Sequence, residues 1–164
     1  MGLTKDYKTE GMTNEALQNL ISSWNPELEF SEENSQFLNI TVQPEGLHQL
    51  MSQLKSNNET LFDYLFCLSG VDWGEELGVV YHLESTTYRH TIVVKVQTGD
   101  RETPTLDSVH DIWATADFHE REVFDFFGIK FNKHPNLKRL FLTEDWVGFP
   151  LRKDYVDEIN MVIK

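Results

Sequence analysis

The chain has 164 residues, 40% of them hydrophobic and 12% aromatic, which suits one packed domain and argues against wholesale disorder. Fourteen Lys and Arg against 27 Asp and Glu leave a formal charge of −13, which excludes a bulk-basic nucleic-acid binder and a body drawn to anionic membranes. The longest uncharged apolar run, Tyr64 to Val71, falls far short of the ~20 residues a membrane-spanning helix needs.

Residues 1–12 carry no periodicity and no apolar signal core, so they read as a mobile lead-in without a secretory signal. The single Cys67 can make no internal disulfide and cannot alone hold an iron–sulfur cluster. It sits in an apolar run and reads as a core residue, and the expected compartment is the cytosol or its equivalent.

From Thr13 the residues Leu17, Leu20, Ile21 and Trp24 recur at helical spacing, with Thr13 as cap and Pro26 as stop. Phe37 to Val42 alternates as a strand. Pro44 opens a second helix whose apolar face is Leu47, Leu50, Met51 and Leu54. Leu61 to Val71 reads as a short helical turn leading into a buried strand. Val79 to Leu83 and Ile92 to Val96 alternate as two further strands joined by a polar hairpin connection, and Thr98 to Thr105 is a loop. The expectation is an α+β fold, with helices packed on a small mixed, mainly antiparallel sheet.

Asp117 to Gly128 reads as a helix with Asp117 as N-cap, Glu120 completing a capping box, and Gly128 in the left-handed position past the end. Arg121 meets Asp125, and Glu122 meets Asp125, on one face. Five apolar residues, four of them Phe, fill much of the circumference, so the helix must be covered on more than one side and its charges need partners. An acid–base carboxylate pair of Glu122 and Asp125 is conceivable. Beside Arg121, a structural ion-pair cluster is the stronger reading.

After Gly128 the periodicity ends, yet residues 129–164 hold Phe131, Phe141, Trp146, Phe149 and Tyr155. Seven of the 14 basic residues, against four acids, lie between Arg121 and Lys153. The combination predicts a division into the lead-in 1–12, an α+β domain 13–128, and a long extended docking arm 129–164 that lies on another molecule. No metal or nucleotide motif stands out: position 123 is Val, which breaks a zincin reading of His119-Glu120, and His110, His119 and His134 are scattered. Arg152-Lys153-Asp154 could clamp a phosphate, but an interface role is the simpler reading.

These residues carry a resemblance. Glu120-Arg121-Glu122, Asp125-Phe126-Phe127-Gly128-Ile129, His134-Pro135, Lys138-Arg139-Leu140, Asp145-Trp146, Gly148 and Pro150-Leu151-Arg152-Lys153-Asp154-Tyr155 closely resemble the C-type (30 kDa-type) subunit of respiratory complex I. Val71-Asp72-Trp73, Val80 to Leu83 and Ser108 to Trp113 extend it over roughly residues 36–155. Departures are small: Val156 where the family usually has Pro, Phe118 where Trp is common, and Phe141 where Leu or Met is usual.

The resemblance implies a non-catalytic peripheral-arm subunit of a proton-pumping NADH:quinone oxidoreductase. Such a subunit packs against the D-type subunit, which helps form the quinone pocket, on the cytoplasmic side of the inner membrane, without inserting into it. FMN, iron–sulfur clusters and quinone would reside on other subunits, with no cofactor, metal or nucleic acid on this chain. The motif residues named above, from Glu120 to Asp154, would be interface residues. Related subunits serve group 4 hydrogenases and quinone reductases with other electron donors. A free-standing acid–base enzyme using Glu122 and Asp125 is the alternative from another class.

Overall fold

A computed structural model describes residues 11–31 and 35–157. Five strands form one sheet: β1 (Glu29–Ser31), β2 (Leu38–Val42), β3 (Tyr64–Asp72), β4 (Leu77–Glu84) and β5 (Thr91–Thr98), in spatial order β1-β2-β5-β4-β3. All neighbours are antiparallel except β2 and β5, which run parallel with Leu38 opposite Ile92 and Val42 opposite Val96. The alternation written in the sequence decides which face is wet. Ile40, Val94, Tyr81 and Leu68 form one row on the buried face, while Thr41, Lys95 and Val80 are only half-buried on the other.

Helix α1 (Asn14–Trp24) buries Leu17 and Ile21, and Thr13 Oγ1 caps it by accepting from the Ala16 N–H. Pro44 starts a single 3₁₀ turn that runs into α2 (Leu47–Ser56), whose Leu47, Leu50, Met51 and Leu54 join the same core. α3 (Ala116–Phe127) packs along β3 at the sheet edge. Gly70 is required there: the Phe127 ring lies 2.5 Å from where a β-carbon would stand. Among the described residues no helix is long and apolar enough to cross a membrane.

The mixed, mainly antiparallel α+β architecture agrees with the expectation, and several details differ. β3 is an edge strand, so Tyr64 and Phe66 stand exposed and Cys67 is half-exposed near the Ser69 hydroxyl rather than in the core. The short β1 and the parallel pair β6 (Thr105–Asp107) and β7 (Lys130–Asn132) are not legible in the sequence, because three residues carry no usable period. β7 also moves the expected boundary at residue 128. Ile129 and Phe131 are core residues, so the body extends into the segment read as the arm. Residues 1–10 of the lead-in and residues 158–164 of the arm lie outside the described ones.

A helix and its covering arm as the candidate docking surface

α3 begins two residues earlier than its capping pattern suggests, with Thr115 rather than Asp117 at the cap position and no side-chain cap bond. Glu120 therefore does not close a capping box. It turns away from its own helix end, accepting from the Val109 N–H at 2.8 Å and meeting the Ser108 hydroxyl at 2.6 Å, and it is fully buried. Burial pushes its carboxyl up to about 7, and the charges of Asp117 and Asp111 add to the rise against those two hydrogen bonds. Gly128 does end the helix in the left-handed conformation, φ +73°, with its N–H returned to Phe124 O.

Beyond β7, residues 133–157 form no further helix or strand and lie back over α3. The arm's carbonyls and amides supply what the helix charges need. Arg121 donates to Lys138 O and Arg139 O, both at 3.2 Å, rather than to a carboxylate. Asp125, fully buried, takes Arg139 Nη1 at 2.9 Å on one oxygen and the N–H groups of Leu140, Phe141 and Leu142 on the other. Burial raises the Asp125 pKa, but these donors outweigh it and hold it below the usual carboxylate range. Arg139 Nη2 also donates to Trp146 O and Gly148 O, which folds the arm round the guanidinium.

Further along, Phe149 fills the space beside Gly128, where a β-carbon would stand 2.5 Å from the ring. Arg139 and Arg152 lie over the same ring at 5.3 and 4.8 Å. Arg152 donates to Phe127 O and Arg101 O. Asp72, at the end of β3, closes the far end by accepting from Arg101 at 2.8 and 3.0 Å and from the Lys153 N–H at 2.8 Å. The Arg101 guanidinium holds the Asp72 carboxyl well below the ordinary range, and Arg101 also pairs with Asp154 at 3.0 Å. Arg152-Lys153-Asp154 is thus a latch onto the chain's own body, not a phosphate clamp.

Beside exposed charges such as Glu144, Asp145 and Lys153, the outer surface of α3 and the arm carries large apolar side chains. Phe118, Phe141, Val147, Leu151 and Val156 are all more than half exposed, and Phe141 stacks on Phe126 with centroids 5.6 Å apart. A shallow groove of about 210 Å³ between β3 and α3 is lined by Leu68, Gly70, Phe126, Phe127 and Leu151, with Glu122 at its edge. An exposed apolar surface of this kind marks an interaction site more than a catalytic one.

The family model for the respiratory-chain NADH dehydrogenase 30 kDa subunit matches residues 40–159. The chain belongs to that family. It is 53% identical over 122 residues to the C/D subunit of an NADH-quinone oxidoreductase from Phocaeicola vulgatus, covering 74% of this chain and 23% of that protein. It is 46% identical over 114 residues to the C subunit of an NADH-quinone oxidoreductase from Chloroherpeton thalassium, covering 68% of this chain and 47% of the relative. The chain thus spans about a quarter of the fused relative and about half of the separate one. Among solved structures it is similar to a trypsin-resistant fragment of Nqo5 (TM-score 0.65, 28% identity, 74% of this chain, 98% of that one). It is also similar to a polypeptide of an archaeal membrane-bound sulfane sulfur reductase (TM-score 0.75, 25% identity, 88% of this chain, 86% of that one).

Within this 30 kDa family chain, the structure gathers Glu120, Arg121, Asp125, Gly128, His134, Arg139, Gly148, Arg152 and Asp154 around α3 and the arm. Most of them hold the arm rather than face outward. Asp145, Trp146, Lys153 and the ring of Pro135 lie toward solvent, as does Glu122, so Glu122 and Asp125 do not form a working carboxylate pair. Sequence reading misses Ser108, Asp72 and Arg101, whose partners lie far away in the chain. No group of three His, Cys, Asp or Glu among the described residues could hold a metal.

Proposed function

We propose that this chain is the C-type component of a membrane-associated NADH:quinone oxidoreductase, without an active site of its own. It seats a neighbouring D-type subunit that helps form the quinone pocket, and FMN, iron–sulfur clusters and quinone are carried elsewhere in the complex. It works peripherally, on the cytoplasmic side of the inner membrane. The observation that carries the reading is the division of labour in residues 133–157: Arg139 and Arg152 turned inward, and Phe141, Val147 and Leu151 turned outward. The C/D name of the Phocaeicola relative supports a D-type neighbour. The likeness to a polypeptide of the sulfane sulfur reductase favours, as a second reading, the equivalent place in a related respiratory membrane complex with another donor. A free acid–base enzyme gains no support, because Asp125 is fully engaged by Arg139 and three amides.

The test is co-purification. Phe141→Ser combined with Leu151→Ser removes exposed apolar surface, with the Phe126 stack, and leaves every side-chain hydrogen bond and ion pair in place. The variant is expected to fold with wild-type spectra and to lose the D-type neighbour from an affinity-purified complex. Retention of that neighbour at wild-type stoichiometry would overturn the assignment of this surface.

A further inference from the structure

The root of the arm contains a buried cluster of carboxyl and imidazole groups that docking alone does not require. Glu120 of α3 and the side chain of His134, two residues beyond β7, are both fully buried, with Glu120 Oε2 3.8 Å from His134 Nε2. His134 Nδ1 accepts the N–H of Asn136 at 3.1 Å, which leaves the ring proton on Nε2. Nε2 points to Asp117 O at 3.2 Å and lies 3.4 Å from Asp117 Oδ1, a buried oxygen without a hydrogen-bond partner among the described residues. From the other side Glu120 meets the Ser108 hydroxyl and the Val109 N–H, and Ser108 Oγ in turn accepts from the His110 N–H.

The groups that act on the cluster come from every element packed against it. Asp117 is on α3, Asp111 and the His110 ring, 6.0 Å from that of His134, are on the preceding loop, and Tyr81 is on β4. The Tyr81 hydroxyl is buried without a partner among the described residues and feels the Glu120 charge. The charges that act on Glu120 are thus acidic.

We propose that Glu120 is the proton-binding element of a clasp that fixes the arm root, seated when its carboxyl is protonated and loosened when it ionises. In the seated form the Ser108 hydroxyl and the Val109 N–H both bond to the Glu120 carboxyl. When the Glu120 proton leaves to solvent, a buried negative charge is left beside the charges of Asp117 and Asp111 and away from water. Opening the turn 134–136 lets water reach that charge, so the arm lifts at its root.

This inference concerns the isolated chain and stands whether or not a D-type neighbour is its partner. The folded carboxyl binds its proton more tightly than an exposed one, so opening becomes easier as pH rises from the ordinary value of 4.5 to about 7 and levels off above. The test is amide hydrogen exchange of the full chain from pH 5 to 8.5, corrected for intrinsic rates, with a carbon-13 NMR titration of Glu120. The opening equilibrium for residues 133–142 is expected to rise by up to about tenfold per pH unit between roughly pH 5 and 7. Glu120→Gln, whose amide can still donate to Ser108 and accept from Val109, should abolish that dependence. The proposal is overturned if exchange at 133–142 is independent of pH, if E120Q keeps the wild-type dependence, or if Glu120 titrates below pH 5. Should E120Q fail to fold, the wild-type titration and exchange decide by themselves.

Discussion

The Asp125 carboxylate and the Arg139 guanidinium meet at 2.9 Å across the gap between α3 and the arm, and the same guanidinium nitrogen donates to the Asp125 main-chain carbonyl. One residue of the helix and one of the arm are therefore joined twice. Asp125→Asn keeps the size of the side chain but removes the charge and replaces one acceptor oxygen with a donor. Either the three amides or the guanidinium then face an N–H₂ donor in a buried site and lose their side-chain acceptor, at a cost of about 3–5 kcal/mol. Chemical denaturation is the measurement, and the midpoint should fall without change in slope.

Arg121 behaves differently. Its two acceptors are carbonyls, so Arg121→Ala strands two neutral groups and no carboxylate. The expected loss is about 1–3 kcal/mol, smaller than for Asp125→Asn. Arg121→Lys should restore little, because a single ammonium does not reproduce the fork that reaches consecutive carbonyls. A loss as large as that of D125N would mean that Arg121 is paired with a carboxylate after all.

Acid should loosen both anchors of the arm. Asp72 and Asp125 have pKa values below the ordinary 3.8, so each contributes stability that is present above that value and disappears as pH falls through the folded value. Glu120 has the opposite sign, adding stability at low pH that is lost towards about 7. Thermal melts should therefore peak in the mildly acidic range, fall below about pH 4, and fall more gently from about pH 5 towards neutrality. Arg101→Met should shift the acid limb upward by freeing the Asp72 carboxyl.

Truncation after Lys130 is expected to prevent folding. It removes Phe131 from the core, both acceptors of Arg121, and Arg139 together with the three amides that hold Asp125. Circular dichroism of the shortened chain is the check. A native-like spectrum would restore the division at residue 128 that the sequence pattern suggests.

Gly128→Ala combines two penalties, a left-handed backbone and a β-carbon 2.5 Å from the Phe149 ring. About 1–3 kcal/mol of overpacking strain is expected, and the ring must leave its place between Arg139 and Arg152. Loss of the ring-current shifts from Phe149 on the neighbouring Arg side chains would report the displacement.

Where the chain is periodic, its elements are legible. Leu17 and Ile21 of α1, Leu50 and Leu54 of α2, and the alternating residues of β4 and β5 all lie where their spacing implies. The three-residue strands are not, because β6 and β7 exist only as a pair brought together across α3. The charged residues of α3 show in the sequence that they need partners, but their spacing points to each other. Arg121 and Asp125 are neighbours on the helix surface, yet carbonyls and amides of the arm, more than ten residues away, outcompete that local pairing. Glu120 misleads for a related reason. A residue at capping spacing caps only if the helix starts where the pattern says, and here it starts two residues earlier.

The parallel contact of β2 with β5 sets the order in which the chain can assemble. β3, β4 and β5 form a meander of adjacent hairpins that needs only short loops to close, whereas Leu38 must find Ile92 after that meander exists. Substitutions in β4 are therefore expected to slow folding, and those in β2 to speed unfolding while leaving the folding rate nearly unchanged. In a nascent chain, residues 38–42 emerge early with only the three-residue β1 to pair with until residue 96 has followed. The N-terminal helices must wait, with Leu17 and Ile21 uncovered, for the middle of the protein to be made.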